Sequence, residues 1–254
     1  MAIAHDADSN DSTDGAASLT FAHTCTGANR ILIVGVAHTD FSTTIGVTYD
    51  GNAMTLIASQ GDNTYDDNMC RLFYIINPST GSNNIVVTPS ESEQMIAGAS
   101  SFTGVDQSDP IIGNNTDQNG VGSISMTVDT TGFDNSWGCD VIVNGASIGA
   151  VSGDQTLNFE DETQPVIAGA MSYSGPLTPA GNLTHTWAFN PPNGYGDAVM
   201  CAFKPVQAAA GTDAQINIGD AWKAIAAMQI NIGDSWKAVE GMQINIGDAW
   251  KEIF

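Results

Sequence analysis

The sequence predicts an all-β fold: a jelly-roll-like β-sandwich over residues 1–205, a linker over 206–213, and a small β-prism-like C-terminal domain of three β-hairpin repeats over 214–254. Three observations predict it. Thirteen short apolar or alternating runs end at Phe203, separated by turn residues at intervals of about 8 to 15, the spacing of sandwich strands. Charged residues make up only 13% of the chain while 27 of 254 residues are Gly, so the surface must be built from Thr, Ser, Asn and Gly, which suit strands and turns better than long exposed helices. From Gln215 onward the chain also repeats with a strict period of 14.

The predicted strands run Ser18 to Phe21, Arg30 to His38, Ile45 to Tyr49, Asn52 to Ser59, Met69 to Ile76, Asn84 to Thr88 and Gln94 to Phe102 in the first half. They continue Ser123 to Val128, Trp137 to Asn144, Thr156 to Phe159, Pro165 to Ser174, Asn182 to Phe189 and Tyr195 to Phe203. Asp50-Gly51 reads as a two-residue hairpin turn because both positions tolerate positive φ, and Asn144-Gly145 repeats the signal. Asn77-Pro-Ser-Thr-Gly81 and Asn190-Pro-Pro-Asn-Gly194 read as longer corners. Two sheets face to face, in a jelly-roll-like arrangement, bury this many short strands economically.

Charge excludes several classes. Six Lys and Arg stand against 28 Asp and Glu, a formal charge of −22, so a nucleic-acid or anionic-membrane partner is not expected. No run approaches the roughly 18 apolar residues of a membrane-crossing helix. The N-terminus Met1-Ala-Ile-Ala-His5 is neither cationic nor followed by an apolar core, so no signal peptide of the usual kind is expected. Cys25, Cys70, Cys139 and Cys201 each lie in or beside an apolar run without a C-x-x-C pair. They read as buried free thiols, with a pair of disulfides as the alternative.

The repeats read Gln-Ile-Asn-Ile-Gly-Asp-Ala/Ser-Trp-Lys from Gln215, Gln229 and Gln243. Ile216 and Ile218 alternate with polar residues as a half-buried strand, Gly219-Asp220 supplies a turn, and Ala221 onward returns. A lone hairpin is marginal in water, so the repeats must stack on one another or on other copies. The residues expected at that interface are Ile216, Ile218, Trp222, Ile230, Ile232, Trp236, Ile244, Ile246 and Trp250. Each Trp can bury roughly 150–250 Å², and three left exposed would form an aggregating patch.

Tandem units of this form, Ile216 to Lys223, Ile230 to Lys237 and Ile244 to Lys251, resemble the C-terminal repeats of bacteriophage virion proteins such as tail-fibre-like and other particle appendages. The first part is similar, more loosely, to jelly-roll modules of phage and bacterial surface proteins. The similarity lies in His23, Arg30-Ile-Leu-Ile-Val-Gly-Val36, Val47-Thr-Tyr-Asp-Gly51, Tyr74-Ile-Ile-Asn-Pro78 and Ser101-Phe-Thr-Gly-Val105. The resemblance implies a homotrimeric knob on the virion surface, with capsid or tail protein and a host-surface glycan as further partners, and with no cofactor, metal or catalytic residues. Long heptad segments are missing, which favours a compact appendage or head decoration over an elongated fibre.

Other readings stay open. A carbohydrate-binding module would use Trp137, Trp187 or Tyr195 as its stacking platform; an enzyme domain or a filament subunit is a third class. His5, His23, His38 and His185 lie far apart with no H-E-x-x-H or G-x-S-x-G motif, and adjacent acids such as Asp66-Asp67 and Glu160-Asp161-Glu162 are expected in so acidic a chain. Asp6-x-Asp8-x-Asn10 begins like a calcium loop. Asp11 and Ala17 stand where that loop needs Gly and Glu, which leaves only a loose site around Asp6, Asp8, Asn10 or Asp14.

Overall fold

A computed structural model describes residues 2–61, 67–119, 122–145, 148–151, 155–189 and 195–206, together with six short strands between residues 215 and 252. The described chain is all-β and forms two compact units, Met1–Val206 and Gln207–Phe254.

The first unit holds two lobes of one topology. The first lobe contains β1 (Ala4–Ala16), β2 (Leu19–Cys25), β3 (Ile31–Thr39), β4 (Ile45–Tyr49), β5 (Asn52–Ala53), β6 (Thr55–Gly61), β7 (Asn68–Ile76), β8 (Gly81–Pro89) and β9 (Glu93–Thr103). The second contains β10 (Ile111–Asn119), β11 (Ser123–Asp129), β12 (Ser136–Asn144), β13 (Ile148–Val151), β14 (Thr156–Asp161), β15 (Ala168–Leu177), β16 (Asn182–Phe189) and β17 (Gly196–Phe203). Their larger sheets have orders β1-β9-β3-β7-β6 and β10-β17-β12-β15-β14, and their smaller sheets β2-β8-β4-β5 and β11-β16-β13. Once the two-residue β5, which has no counterpart in the second lobe, is set aside, these orders coincide strand for strand. Successive strands mostly cross between the two sheets of a lobe, which is the double Greek-key winding of a jelly roll. Where one sandwich was expected over residues 1–205, the structure has two.

Sequence echoes accompany the repetition. Ser18-Leu-Thr-Phe21 and Ser123-Ile-Ser-Met126 open equivalent strands, and Gly27 (φ 72°) and Gly132 (φ 92°) each follow a Thr in the next turn. These turns need left-handed backbone, which Gly adopts without a Cβ penalty.

Three apolar clusters fix the stacking. Leu32, Val34, Val36, Phe73 and Ile85 fill the first lobe between its sheets; Ile124, Met126, Ile142, Leu183, Trp187 and Met200 fill the second. The largest cluster, including Ile31, Ile33, Leu72, Phe102, Val141, Phe159, Met171 and Phe203, lies between the two larger sheets. The unit is therefore four sheets deep, small-large-large-small. Strands β3, β9, β12 and β17 are buried on both faces, which explains runs such as Ile31 to Ala37 that show no polar alternation. At the seam the sheets approach closely over glycines: a Cβ at Gly35 would sit 2.7 Å from the Val141 Cβ, and one at Gly98 only 1.9 Å from the Phe159 ring. Asn158 adds polar links across the seam, donating to the Ala99 carbonyl (3.0 Å) and the Ser100 hydroxyl (2.6 Å).

Twelve of the thirteen predicted strands of this unit are present as single strands; the run Asn52 to Ser59 is divided at Met54 between β5 and β6, which join different sheets, and β1, β10 and β13 are additional. Strand β1 pairs along β9 although it reads Ala-His-Asp-Ala-Asp-Ser-Asn-Asp-Ser-Thr-Asp-Gly-Ala. An edge strand with one solvated side needs no apolar alternation, and its acids discourage pairing with another chain. Its acids are also tied down: Asp6 accepts the Thr26 N–H (2.7 Å) and the Ser101 hydroxyl (3.0 Å), Asp8 the Ser100 hydroxyl (2.7 Å), and Asp14 the Gln94 amide (2.9 Å). The segment considered for calcium is thus an edge strand and not a loop. Asp50 (φ 50°) and Gly51 (φ 73°) make the expected turn between β4 and β5. Asn144-Gly145 does not make a hairpin, because β12 and β13 belong to different sheets. The corner at Asn190 to Gly194 lies outside the described residues.

In the second unit, β18 (Gln215–Ile218) pairs with β19 (Ala221–Ala224), β20 (Gln229–Asn231) with β21 (Trp236–Ala238), and β22 (Gln243–Ile246) with β23 (Ala249–Glu252), each antiparallel. Asn217, Asn231 and Asn245 stand opposite Trp222, Trp236 and Trp250, and Ile216, Ile230 and Ile244 stand opposite Lys223, Lys237 and Lys251.

Candidate functional site

In the second lobe, strand alternation carries polar residues into the core. Gly138, Asp140 and Ile142 of β12, Ala170, Ser172 and Ser174 of β15, and Leu183, His185 and Trp187 of β16 share the space between the sheets. Asp140 and His185 are fully buried. The Asp140 Oδ1 accepts from the Ser172 N–H (2.9 Å) and hydroxyl (2.8 Å). Its Oδ2 accepts from His185 Nδ1 (2.7 Å), Trp187 Nε1 (2.8 Å) and the Gln155 amide (3.3 Å). In the neutral ring with Nδ1 donating to the carboxylate, His185 Nε2 is an acceptor, and the Ser174 hydroxyl, 2.7 Å away, donates to it. Gly138 leaves room for this ring: a Cβ there would lie 3.2 Å from His185 Nε2.

The order Asp140–His185–Ser174 is that of a general base oriented by a carboxylate beside a hydroxyl. Ser174 also lines a cavity of about 550 Å³, whose wall includes Gln155, Pro176, Leu177, Asn182 and Thr184. That is within the usual range for small-molecule sites. Gln155 closes the cluster from the cavity side, donating to Ser172 Oγ (2.9 Å) and accepting the Thr186 N–H (2.6 Å).

The first lobe provides an internal control. With Gly35 set against Val141 by their matching ladder positions, Val34, Phe73 and Ile75 occupy the places of Asp140, Ser172 and Ser174. Matching β2 to β11 likewise sets Ile85 and Val87 against His185 and Trp187. The same jelly roll is built there with apolar side chains, so its winding does not require the polar cluster.

The residues singled out from sequence fare differently. Trp187 is fully buried beneath Asp140, and Trp137 is 9% exposed, wedged against Phe102 (5.6 Å between ring centres) and Tyr173 (6.2 Å). Neither offers a ring face for stacking a sugar, which corrects the platform expected of them. Tyr195 is 37% exposed. Ile216, Ile218, Trp222, Ile230, Trp236, Ile244, Ile246 and Trp250 lie on the hairpin strands; Ile232 lies outside the described residues. The four cysteines are buried and free. Among the described residues, no group of three or more His, Cys, Asp and Glu is placed to hold a metal.

The other histidines do not join the cluster. His5 stacks on Tyr173 (4.5 Å) and contacts Asp8. Burial pushes His23 down to about 4, against the pull of Asp6 and Asp8, and burial does the same to His38, whose Nδ1–H donates to the Thr39 carbonyl while Nε2 accepts from Arg71. A folded-state value of about 4 against 6.5 means that the unfolded chain takes up protons the native chain refuses as pH falls through that window. Stability is therefore expected to fall by about 2–4 kcal/mol between pH 7 and pH 5, read from urea midpoints, and the His23→Gln/His38→Gln double variant is expected to flatten that slope. A wild-type midpoint unchanged over this range would contradict the burial of both rings.

Searches with this chain found no match to any family model, to any curated protein or to any solved structure.

Proposed function

We propose that the chain is a structural component of a phage particle: an oligomeric, trimeric appendage that decorates the capsid or tail and contacts the host surface. The observation that carries this reading is the set of three near-identical 14-residue units, each a two-stranded hairpin whose described strands pair only within their own hairpin. Ile and Trp occupy alternate register positions in every unit, so both faces of each hairpin carry apolar area. Copies of the same hairpin supply cover for such faces, and a two-stranded ribbon has little stability without it. Tandem jelly rolls with double-sided cores supply a rigid body for the exterior, and an acidic surface resists nonspecific association. The sugar-binding reading loses its two buried tryptophans and rests on Tyr195 alone.

Three copies carry three times −22, or −66 charges, so apolar burial must work against repulsion and added salt is expected to tighten the assembly. Light scattering of the full chain is expected to give three times 26.4 kDa, with the trimer persisting to lower protein concentration at about 0.5 M than at about 0.02 M salt, concentrations that span most of the screening range. A monomer at every salt concentration, or an open series of masses growing with concentration, would contradict the closed trimer.

A further inference from the structure

We propose that Ser174 is an activated nucleophile, with His185 as its general base and Asp140 as the positioning residue, and that the cavity beside it takes short, uncharged carboxylic esters. This goes beyond the assembly reading and does not depend on it.

Four observations carry the proposal. The two hydrogen bonds in series, Ser174 Oγ to His185 Nε2 and His185 Nδ1 to Asp140 Oδ2, are both 2.7 Å, within the reach that general-base activation requires. The carboxylate is fixed on both oxygens, by Ser172 on one and by Trp187 on the other, so the imidazole is held in the tautomer that leaves Nε2 free to take a proton. The cluster meets the 550 Å³ cavity through Ser174 and Gln155, which lie on its wall, whereas His185 and Asp140 are fully buried and are not among its described lining. Finally, the first lobe builds the same five positions from Val34, Phe73, Ile75, Ile85 and Val87, so a buried acid and a buried imidazole, costly groups to place in a core, are not demanded by the fold.

The lining sets the substrate class. Pro176, Leu177 and Leu183 give it apolar walls and Asn182 an amide that can donate to a developing oxyanion, while among the described lining residues none is cationic to receive an anionic substrate. In the proposed step the Ser174 oxygen bonds to the ester carbonyl carbon as its proton passes to His185 Nε2. The carbon–oxygen bond to the alcohol then breaks, and the departing alkoxide takes that proton. Water repeats the sequence on the acyl-serine, releasing the carboxylic acid and restoring the hydroxyl.

The test is covalent. The full-length protein is treated with a small alkyl fluorophosphonate, its intact mass is measured, and the modified residue is located by peptide mapping. One adduct per chain on Ser174 is expected, formed by the folded protein and absent when the chain is labelled in 6 M guanidinium, because an ordinary serine hydroxyl does not react. Ser174→Ala is expected to abolish it, and His185→Gln to slow it at least about 100-fold, the lower range of a general base's contribution. In parallel, p-nitrophenyl acetate is expected to release one equivalent of nitrophenol in a burst with the wild type and none with Ser174→Ala. No adduct on Ser174 in the folded wild type, an adduct on another residue only, or a labelling rate unchanged in a folded His185→Gln chain would each overturn the proposal. Because the comparison of folded with unfolded wild type needs no variant, the result stands even if a substitution fails to fold. Oligomeric mass plays no part in this readout, so failure here is distinct from failure of the assembly reading.

Discussion

Asp140→Ala is expected to lower the stability of the first unit by about 3–5 kcal/mol, the range found when one partner of a buried, fully hydrogen-bonded charge network is removed. The substitution strands the Ser172 N–H and hydroxyl, the His185 Nδ1–H and the Trp187 Nε1–H in a core that water does not reach, and it opens a void. The matched change in the first lobe, Val34→Ala, removes only apolar contacts and is expected to cost about 1–2 kcal/mol. Urea denaturation of the two variants side by side measures the difference. Equal losses would show that Asp140 contributes as a space-filling side chain and that the network adds nothing.

Gly98→Ala is expected to cost about 3 kcal/mol, at the upper end of the range for overpacked cores. Its Cβ would fall 1.9 Å from Cε1 and 2.3 Å from Cδ1 of Phe159, a buried ring reached from the other lobe. The backbone cannot withdraw, because Gly98 is laddered on both sides, to Asn10 of β1 and to Gly35 of β3. Trimming the ring as well, in Gly98→Ala/Phe159→Ala, is expected to recover part of the loss, so that the double variant is more stable than the sum of the single losses allows. Gly46→Ala, whose nearest neighbour to the new Cβ is 3.9 Å away, is expected to change stability by no more than about 0.5 kcal/mol. Additive losses for Gly98 and Phe159 would mean that the two lobes do not meet at this seam.

The sequence pattern carried most of the strands and the Asp50-Gly51 turn but not the Asn144-Gly145 connection or the duplication. The strands it left out include the first of each lobe, β1 and β10, rich in Asp, Asn, Ser and Thr, at the edges of the large sheets. Period-two hydrophobicity reports a strand only where one face is buried, and such edges are stitched by side-chain hydrogen bonds instead. The double burial of β3 and β17 leaves its mark in the apolar runs Ile31 to Ala37 and Ala198 to Phe203, which carry no polar residue on either face.

The polar cluster was scarcely legible because Asp140, Ser174 and His185 come from three strands in two sheets, and no short motif joins them. One trace was present: Asp140 falls in phase with Ile142 inside Cys139-Asp-Val-Ile-Val143, and His185 falls in phase with Leu183 and Trp187, so both sit on core registers where a charge needs a partner. The paired strands of the repeats, in contrast, were readable directly, since Gly-Asp dipeptides and alternating Ile recur in a few residues and need no tertiary information.

We propose a division of labour: residues 1–206 form a self-sufficient pair of jelly rolls, and the hairpin repeats hold copies together. Light scattering of the full chain and of residues 1–206, at matched concentration and salt, tests it most directly. Three copies are expected for the full chain and a folded monomer for residues 1–206. A truncated protein that still elutes as a trimer, or a full chain that is monomeric like its truncation, would contradict it.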